Sequence, residues 1–396
     1  MSKAIQHELR LARRMSRLGT ETAFDVLVKA RALEAQGKDI IHLEIGEPDF
    51  DTPANIIGAA VQALNNKWTH YGPSAGLPQL RQAIAEDAGR RRGIKIDPAE
   101  VVVVPGGKPI IFFSMLALIE EGDEVIYPNP GFPIYESLIH FLGAKAVPIR
   151  LREEMDFALD PNELTDLVTD KTRLIILNSP QNPTGGVLTE RDVRQIASAI
   201  GDRDIMVLSD EIYSRLLFEG KHFSIASMDG WKERTILLDG FSKSYAMTGW
   251  RMGYGIMRAD LATHVARLMT NSNSCTATFT QIAGVEALHG DQSSVDEMCA
   301  EFKRRRDVFV AGINRIPGFY CRSPKGAFYT FPNITRTGWP SGKLADALLE
   351  QAGVACLSGT AFGSFGEGYL RFSVANSVEN IQKALERVES WARKNL

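Results

Sequence analysis

One lysine and one arginine lie in a stretch of the sequence that is otherwise suited to burial. Lys243 stands between two serines, shortly after the apolar run of residues 235–238, and Arg251 follows eight residues later. Long basic side chains are seldom fully buried unless something pairs with them. A surface loop would explain the two residues, but so would a bound anion beside a lysine whose amine does chemistry. Such a lysine can form a Schiff base with an aldehyde cofactor, and the arginine can hold the phosphate of that cofactor.

Polar and aromatic residues elsewhere in the chain supply the other contacts that such a cofactor needs. Asp210 ends an apolar run, and a buried aspartate requires a cation such as a pyridinium nitrogen. Tyr213 faces the same way if the loop opens as a helical turn, and it can then donate a hydrogen bond to an oxyanion. The amide of Asn182 can reach a phenolate-type oxygen, and the ring of Phe132 can stack on a pyridine ring. Together these requirements point to pyridoxal phosphate.

The elements that must position these residues are short apolar runs, each followed by a polar or glycine-rich loop. Helical patterns separate the runs, for example from Ile110 to Ile119 and near Glu190 to Ile200. This order indicates an α/β fold with a mostly parallel sheet covered on both faces. Ligands bind at the carboxyl ends of such strands, so we expect the loops to converge on one edge of the sheet. The runs and their loops are VVVV before PGGKP, DEVIYP before NPGFP, RLIILNSP before QNPTGG, IMVLSDEIYSRLL and TILLDGFSKSY.

The pattern changes after about residue 290. A long charged helix is followed by a predicted strand pair over residues 318–333 and then by further short elements. This order indicates a smaller α+β domain, against which we expect the N-terminal arm to pack. The predicted division is therefore a large cofactor-binding domain over residues 46–290 and a small domain formed by residues 1–45 and 291–396.

The composition limits the classes of function that are open to the chain. Its 396 residues carry a formal net charge of −3, which argues against nucleic acid as a main partner because phosphate binding needs a basic face. The local exception, Arg10, Arg13, Arg14 and Arg17, indicates an amphipathic arm, with a transit peptide as the alternative. No apolar run is long enough to span a membrane. The four cysteines are widely spaced, which predicts free thiols, no metal site and a cytoplasmic location.

Six motifs carry a resemblance to a known family. They are SKSYAMTGWRMGY, NSPQNPTGG, SDEIY, GEPDFDTP, YGPSAGLPQLRQAI and YLRFSVANS. With them the chain resembles the class I pyridoxal-phosphate-dependent aminotransferases of fold type I, in their bacterial aspartate-aminotransferase-like branch, from about Thr22 to the end. The resemblance implies a large domain with a mostly parallel seven-stranded sheet and a smaller α+β domain.

The resemblance also implies roles for the cofactor-binding residues. Lys243 would carry the internal aldimine and then move protons, while Asp210 would hold the pyridinium proton. Tyr213 and Asn182 would bond the phenolic oxygen of the ring, and Phe132 would stack on it. The expected catalytic residues are Lys243, Asp210 and Tyr213. The phosphate would be held by an arginine, a glycine-rich turn and a serine, namely Arg251, Gly106, Gly107, Lys108 and Ser242.

A homodimer is implied as well, because Tyr71 would reach the phosphate from the other subunit.

Three positions depart from the family pattern. Gly240 stands where a hydroxyl residue is frequent, Gly107 stands where many relatives have serine, and Phe132 replaces a frequent tryptophan. The phosphate site is therefore expected to depend more on backbone N–H groups.

The substrate is predicted from a second set of residues. Arg371 would form a bidentate pair with the α-carboxylate, and Gly46 and Asn182 would line the same pocket. Lys108 would help to hold a distal carboxylate, whereas Glu21 in the N-terminal arm would repel one. Phenylalanines near the pocket make an apolar or aromatic side chain plausible.

The expected activity is transfer of the α-amino group of an L-amino acid to a 2-oxo acid by a ping-pong mechanism. Glutamate and 2-oxoglutarate are expected as one pair, and aspartate or an aromatic amino acid belongs to the other. The alternatives are β-elimination from a sulfur amino acid on the same scaffold and a non-catalytic sensor that binds the cofactor.

Overall fold

Seven strands within residues 9–396, the part of the chain that the computed structural model describes, form one central sheet. In chain order the strands are β1 (Ile41–His42), β2 (Val101–Val104), β3 (Glu124–Asn129), β4 (Lys145–Arg150), β5 (Thr172–Asn178), β6 (Met206–Asp210), β7 (Thr235–Gly240), β8 (Gly253–Ile256), β9 (Tyr329–Thr330), β10 (Val354–Ala355), β11 (Leu357–Ser358) and β12 (Leu370–Ser373). The central sheet has the order β2-β8-β7-β6-β5-β3-β4. Only β8 runs antiparallel to its neighbours, so the predicted seven-stranded, mostly parallel sheet is confirmed.

Both faces of this sheet are buried, which is why its strands are continuous apolar runs. In β2 the side chains of Val102 and Val104 enter one core cluster, and those of Val101 and Val103 enter the cluster on the opposite face. Side chains alternate across a strand, so a run of four valines is stable only where helices cover both sides.

Residues 9–396 contain twelve α-helices, and several of them supply this cover. They are α1 (Thr22–Glu34), α2 (Ala54–Asn65), α3 (Pro78–Arg92), α4 (Lys108–Leu118), α5 (Ile134–Leu142), α6 (Pro161–Leu167), α7 (Glu190–Ile200), α8 (Ala259–Ser272), α9 (Thr278–His289), α10 (Ser293–Ile313), α11 (Ser341–Ala347) and α12 (Val378–Asn395). α4, α5 and α8 pack on one face of the sheet, and α3, α6, α7 and α9 pack on the other. The helices predicted from Ile110 and from Glu190 correspond to α4 and α7.

A separate core cluster lies among α10, α11, α12 and the short strands near them. β11, β12 and β9 form a three-stranded antiparallel sheet, and β1 pairs with β10 in parallel. The predicted strand pair over residues 318–333 is shorter than expected: it consists of β9 and a bridge between Tyr320 and Asn333. Proline has no N–H for a strand ladder, and Pro324 and Pro332 lie in this stretch. The division of the chain into a large and a small domain at residues 45/46 and 290/291 stays a prediction.

The N-terminal arm lies on both parts of the structure. α1 contacts β10 and β11, as expected for packing with the smaller domain, but the 3₁₀ helix Arg13–Arg17 lies on α5. Arg17 donates a hydrogen bond to the carbonyl of Phe141 at 3.1 Å, and the guanidinium of Arg14 lies 5.8 Å from the ring of the same residue. Two arginines of the basic cluster, Arg14 and Arg17, therefore hold the arm against α5, a helix that packs on the central sheet.

Among the helices of residues 9–396, none combines the length and the apolar character needed to cross a bilayer. All four cysteines are free thiols.

Candidate active site

The loops after several strands meet in one cavity of about 360 Å³. The ends of strands β5, β6 and β7 contribute to the wall of this cavity. The start of α4, a residue of β12 and residues of the N-terminal arm complete it. The sequence-predicted residues that line it are Gly46, Gly107, Lys108, Phe132, Asn182, Asp210, Tyr213, Ser242, Lys243, Arg251 and Arg371. The predicted convergence at the carboxyl edge of the sheet is therefore observed.

Lys243 lies in the turn that follows β7, with its amine inside the cavity. Its Nζ donates a hydrogen bond to the carbonyl oxygen of Gly46 at 2.5 Å and lies 5.7 Å from the centre of the Phe328 ring. Burial, together with the positive charges of Arg371 and Arg251, lowers the pKa of Lys243 to about 8. Near that pH about half of the amine is neutral, which is the form that attacks an aldehyde.

Asp210 ends β6 and is 5% exposed. Its carboxylate accepts hydrogen bonds from the hydroxyl of Tyr135 at 2.6 Å and the backbone N–H of Ile212 at 3.3 Å. Within residues 9–396 no lysine, arginine or histidine forms an ion pair with it. Burial, against the opposing effect of these two hydrogen bonds, raises the pKa of Asp210 to about 6. A buried carboxylate without a cation fits a positively charged ring nitrogen in the cavity.

A network of buried charges fixes the turn that carries Asp210 and Tyr213. Arg92, at the end of α3, forms ion pairs with Glu211 and Asp239, both within 3.0 Å. Glu211 also accepts a hydrogen bond from His222. Arg92 and its two acidic partners are each less than a tenth exposed. These contacts tie α3 to the ends of β6 and β7, so the two catalytic strand ends are held in a fixed relation.

Tyr213 and Asn182 both line the cavity, and each contacts a further residue of the lining. The hydroxyl of Tyr213 is 2.8 Å from the hydroxyl of Tyr329, and the Asn182 Oδ1 accepts from Arg371 at 3.3 Å. The two X-Pro bonds of the Asn182 loop, at Pro180 and Pro183, are both cis.

Arg371 lies on β12 and is buried, with 4% of its surface exposed. Its guanidinium lies between the rings of Tyr329 and Phe362, at 4.5 and 4.8 Å from their centres. One terminal nitrogen donates to Asn182 and the other to the carbonyl of Glu44, whereas Nε is buried without a partner. An unsatisfied buried guanidinium donor that lines a cavity fits a carboxylate ligand.

The glycine turn after β2 lies against Arg251. Gly106 has φ +86°, and a Cβ at this position would overlap the Nη2 atom of Arg251. Arg251 itself has φ +52° and donates through Nη1 to the carbonyl of Thr248 at 2.8 Å. The turn thus leaves room for the guanidinium at the start of α4, where free backbone N–H groups favour an anion. Ser242 is buried in the same wall of the cavity.

Replacing Gly106 with alanine should therefore weaken cofactor binding as well as the fold. A non-glycine residue at this φ costs about 1–2 kcal/mol of unfolding free energy. The displaced Arg251 guanidinium should lower affinity for pyridoxal phosphate by about tenfold or more, the effect of losing a charged hydrogen bond. Urea unfolding and fluorescence titration of the apoenzyme measure the two effects.

The control for this change is Gly93→Ala. Gly93 has φ +68°, but a Cβ at this position would meet no neighbouring atom within 4 Å. The variant should show the backbone cost alone, with normal cofactor affinity. An equal loss of affinity in both variants would contradict a specific role for the Gly106 turn.

Lys108 does not point into free space beside the phosphate turn. Its Nζ forms an ion pair with the carboxylate of Glu21 and lies 5.5 Å from the centre of the Phe132 ring. The Phe132 ring in turn meets Tyr135 edge-on at 5.8 Å. Glu21, the arm residue that is expected to repel a distal carboxylate, is therefore in direct contact with Lys108.

Tyr71 lies outside the cavity of its own chain and is 89% exposed. The role expected for Tyr71 is contact with the cofactor phosphate of a second subunit. An exposed position agrees with this role, which stays a prediction.

Sequence reasoning missed two tyrosines of the site. Tyr135 lies in the first turn of α5, and its backbone N–H donates to the carbonyl of Phe132 just before that helix, so its closeness to Phe132 in the sequence could have indicated it. Tyr329 lies in the stretch interpreted as a strand pair, and nothing in its local sequence distinguishes it from a core aromatic residue.

The comparisons with known proteins agree on one family. The family profile "Aminotransferase class I and II" matches residues 38–388. An aspartate aminotransferase of Pyrococcus horikoshii is 43% identical over 89% of this chain and 90% of its own length. The aromatic-amino-acid aminotransferase 2 of Thermococcus litoralis is 40% identical over 90% of this chain and 92% of its own.

A solved structure supports the same assignment. The aspartate aminotransferase of Thermus thermophilus with maleate has a TM-score of 0.93 and 35% identity, over 97% of this chain and all of that one. The match of fold, sequence and cofactor-compatible cavity means that the chain belongs to the class I and II aminotransferases and is a pyridoxal-phosphate-dependent enzyme.

Proposed function

We propose that the chain transfers the α-amino group of an L-amino acid to a 2-oxo acid, with pyridoxal phosphate joined to Lys243 as a Schiff base. Glutamate and 2-oxoglutarate form one pair, and aspartate or an aromatic amino acid belongs to the other. The observation that carries the proposal is the convergence of three residues in one cavity. They are Lys243 with a lowered pKa, the buried Asp210 with a raised pKa, and Arg371 with an Nε that has no partner. Since the matched family and the named relatives are described as aminotransferases, the non-catalytic sensor is set aside.

Several residues of the chain are suited to hold the cofactor. Asp210 would keep the ring nitrogen protonated, and the hydroxyl of Tyr213 and the amide of Asn182 would bind the ring oxygen. Phe132 would stack on the ring. The phosphate would be held by Arg251, the backbone of Gly106, Gly107 and Lys108, and Ser242. When bound, pyridoxal phosphate supplies an electron sink that stabilises negative charge at the substrate α-carbon.

Two residues then act on the substrate. Arg371 binds and orients the α-carboxylate through its guanidinium fork, with Gly46 and Asn182 lining the same side. With the cofactor bound, the neutral Nζ of Lys243 would accept the proton from the substrate α-carbon and would then donate it to the cofactor carbon. The low pKa of Lys243 favours this use, because a lysine with an ordinary pKa would be almost entirely protonated near neutral pH.

The named relatives support both substrate classes for the second pair. One is called an aspartate aminotransferase and another an aromatic-amino-acid aminotransferase, at similar identity to this chain. The test is a panel of amino donors with several 2-oxo acid acceptors, followed by the absorbance change of the cofactor and by product analysis. Transamination requires an acceptor, whereas β-elimination releases ammonia and pyruvate without one. Acceptor-independent release would therefore contradict the proposal.

We also propose a cytoplasmic homodimer in which Tyr71 of each subunit completes the phosphate site of its partner. The exposed position of Tyr71 beside its glycine-containing loop supports this proposal. Mixing Tyr71→Phe protein with Lys243→Ala protein should then give hybrid dimers that contain one native site. If subunit exchange is verified and activity does not rise, each site is built from one chain.

A further inference from the structure

Glu21 and Lys108 form an ion pair in the wall of the active-site cavity. The two residues are 87 positions apart, and both line the cavity. Their side chains are 23% and 45% exposed, so the pair is open to solvent on one side. On its other side the Lys108 amine lies above the Phe132 ring.

The charge of Glu21 extends to the centre of the site. Its carboxylate raises the pKa values of Lys243 and Arg371, against the larger effect of burial on each. A second carboxylate brought beside Lys108 would therefore meet a negative charge that already occupies the amine. Like charges in one partly desolvated site oppose binding strongly.

Few contacts hold the part of the chain that carries Glu21, so its side chain can move away from Lys108. Glu21 precedes the first residue of α1 and makes no side-chain capping hydrogen bond. Ala30 is the only residue of α1 that is fully buried, so the start of this helix is held by few contacts. Partly exposed ion pairs contribute little to stability, and breaking this one should disturb the fold only slightly.

The rest of the cavity wall near the arm suits an uncharged side chain. Phe24, Ile45, Leu357 and Phe362 line the cavity, as does the Phe132 ring beneath Lys108. With Lys108 neutralised by Glu21, an aromatic side chain can contact these groups without leaving a charged group unpaired.

We propose that Glu21 occupies the side-chain subsite as an internal carboxylate and thereby sets substrate selectivity. Donors with uncharged, above all aromatic, side chains bind with the Glu21–Lys108 pair intact. A dicarboxylic substrate binds only when its distal carboxylate displaces Glu21 from Lys108. This inference rests on the proposed transaminase function and narrows it, because it makes aromatic amino acids the favoured partners of the glutamate pair.

The test is Glu21→Gln in the holoenzyme, which removes the charge and keeps the shape of the side chain. We expect kcat/KM for glutamate and aspartate to rise by about tenfold or more, because a repelling charge is removed and Lys108 is freed. The value for phenylalanine should change by about twofold or less. Asp25→Asn is the matched control, since Asp25 is exposed on the same helix and lies outside the cavity.

A binding measurement separates this inference from the proposed function. Calorimetric titration of the holoenzyme with maleate and with 3-phenylpropionate reports on the two side-chain classes without turnover. Glu21→Gln should tighten maleate binding by about tenfold and leave 3-phenylpropionate unchanged, and adding Lys108→Met should remove that gain. Equal effects on both ligands, or none on maleate, would overturn the role of Glu21. Absence of amino transfer by the wild-type enzyme would instead overturn the proposed function, and the titration would still decide the role of Glu21.

Discussion

Lys243→Ala should lose almost all transaminase activity while the protein stays folded. The expected fall in turnover is about 10⁴-fold or more, because the substitution removes both the covalent attachment point and a positioned general base. The fold should survive, since the only hydrogen bond of the amine to the described protein is to the carbonyl of Gly46. Burial lowers the pKa of Lys243, which means that the charged amine is destabilised in the fold. The thermal midpoint should therefore stay the same or rise.

Chemical labelling identifies the residue. Borohydride reduction of the wild-type holoenzyme followed by peptide mapping should recover the pyridoxyl label on Lys243. Lys145→Ala is the control, because Lys145 pairs with Glu124 at the edge of the central sheet, away from the cavity, and should keep normal activity. Label on another lysine would show that the assignment is wrong.

Asp210→Asn should reduce kcat/KM by about 100-fold or more, which corresponds to at least about 3 kcal/mol of lost transition-state stabilisation. The amide keeps the size of the carboxylate and can still accept a hydrogen bond from Tyr135. It lacks the negative charge that keeps the ring nitrogen of the cofactor protonated. Steady-state kinetics with the best donor of the panel measure the loss.

Tyr135→Phe provides the graded comparison for this prediction. It removes the 2.6 Å hydrogen bond to Asp210 but leaves the carboxylate in place. The loss should be about tenfold, the effect of one hydrogen bond to a charged group. Near-normal turnover of Asp210→Asn would mean that the ring nitrogen is held by another group.

Much of the fold was predictable because it follows from local patterns. A run such as Val101–Val104 can be stable only with both faces covered, and this requirement already indicates a parallel sheet between helix layers. The strand pair predicted over residues 318–333 was too long because the apolar pattern there fills a core beside short strands. Burial and strand pairing produce the same residue types, so composition does not separate them.

The meeting of the candidate site residues was predictable as well. Lys243 and Asp210 each end or follow an apolar strand, and parallel strands end at one edge, so their meeting follows from order along the chain. The residue types in chain order, an aspartate, a lysine and an arginine, indicate a cofactor with a basic ring nitrogen, an aldehyde and a phosphate.

Only the tertiary structure decided which of these groups are already paired. The contact of Glu21 with Lys108 spans 87 residues, and that of Tyr213 with Tyr329 spans 116. The partnerless Nε of Arg371 is likewise invisible in the sequence. Such contacts depend on how separate layers pack, and no local periodicity carries that information. The sequence by itself thus indicated the cofactor and the residues suited to hold it, whereas the packing of the arm against the sheet placed Glu21 beside Lys108.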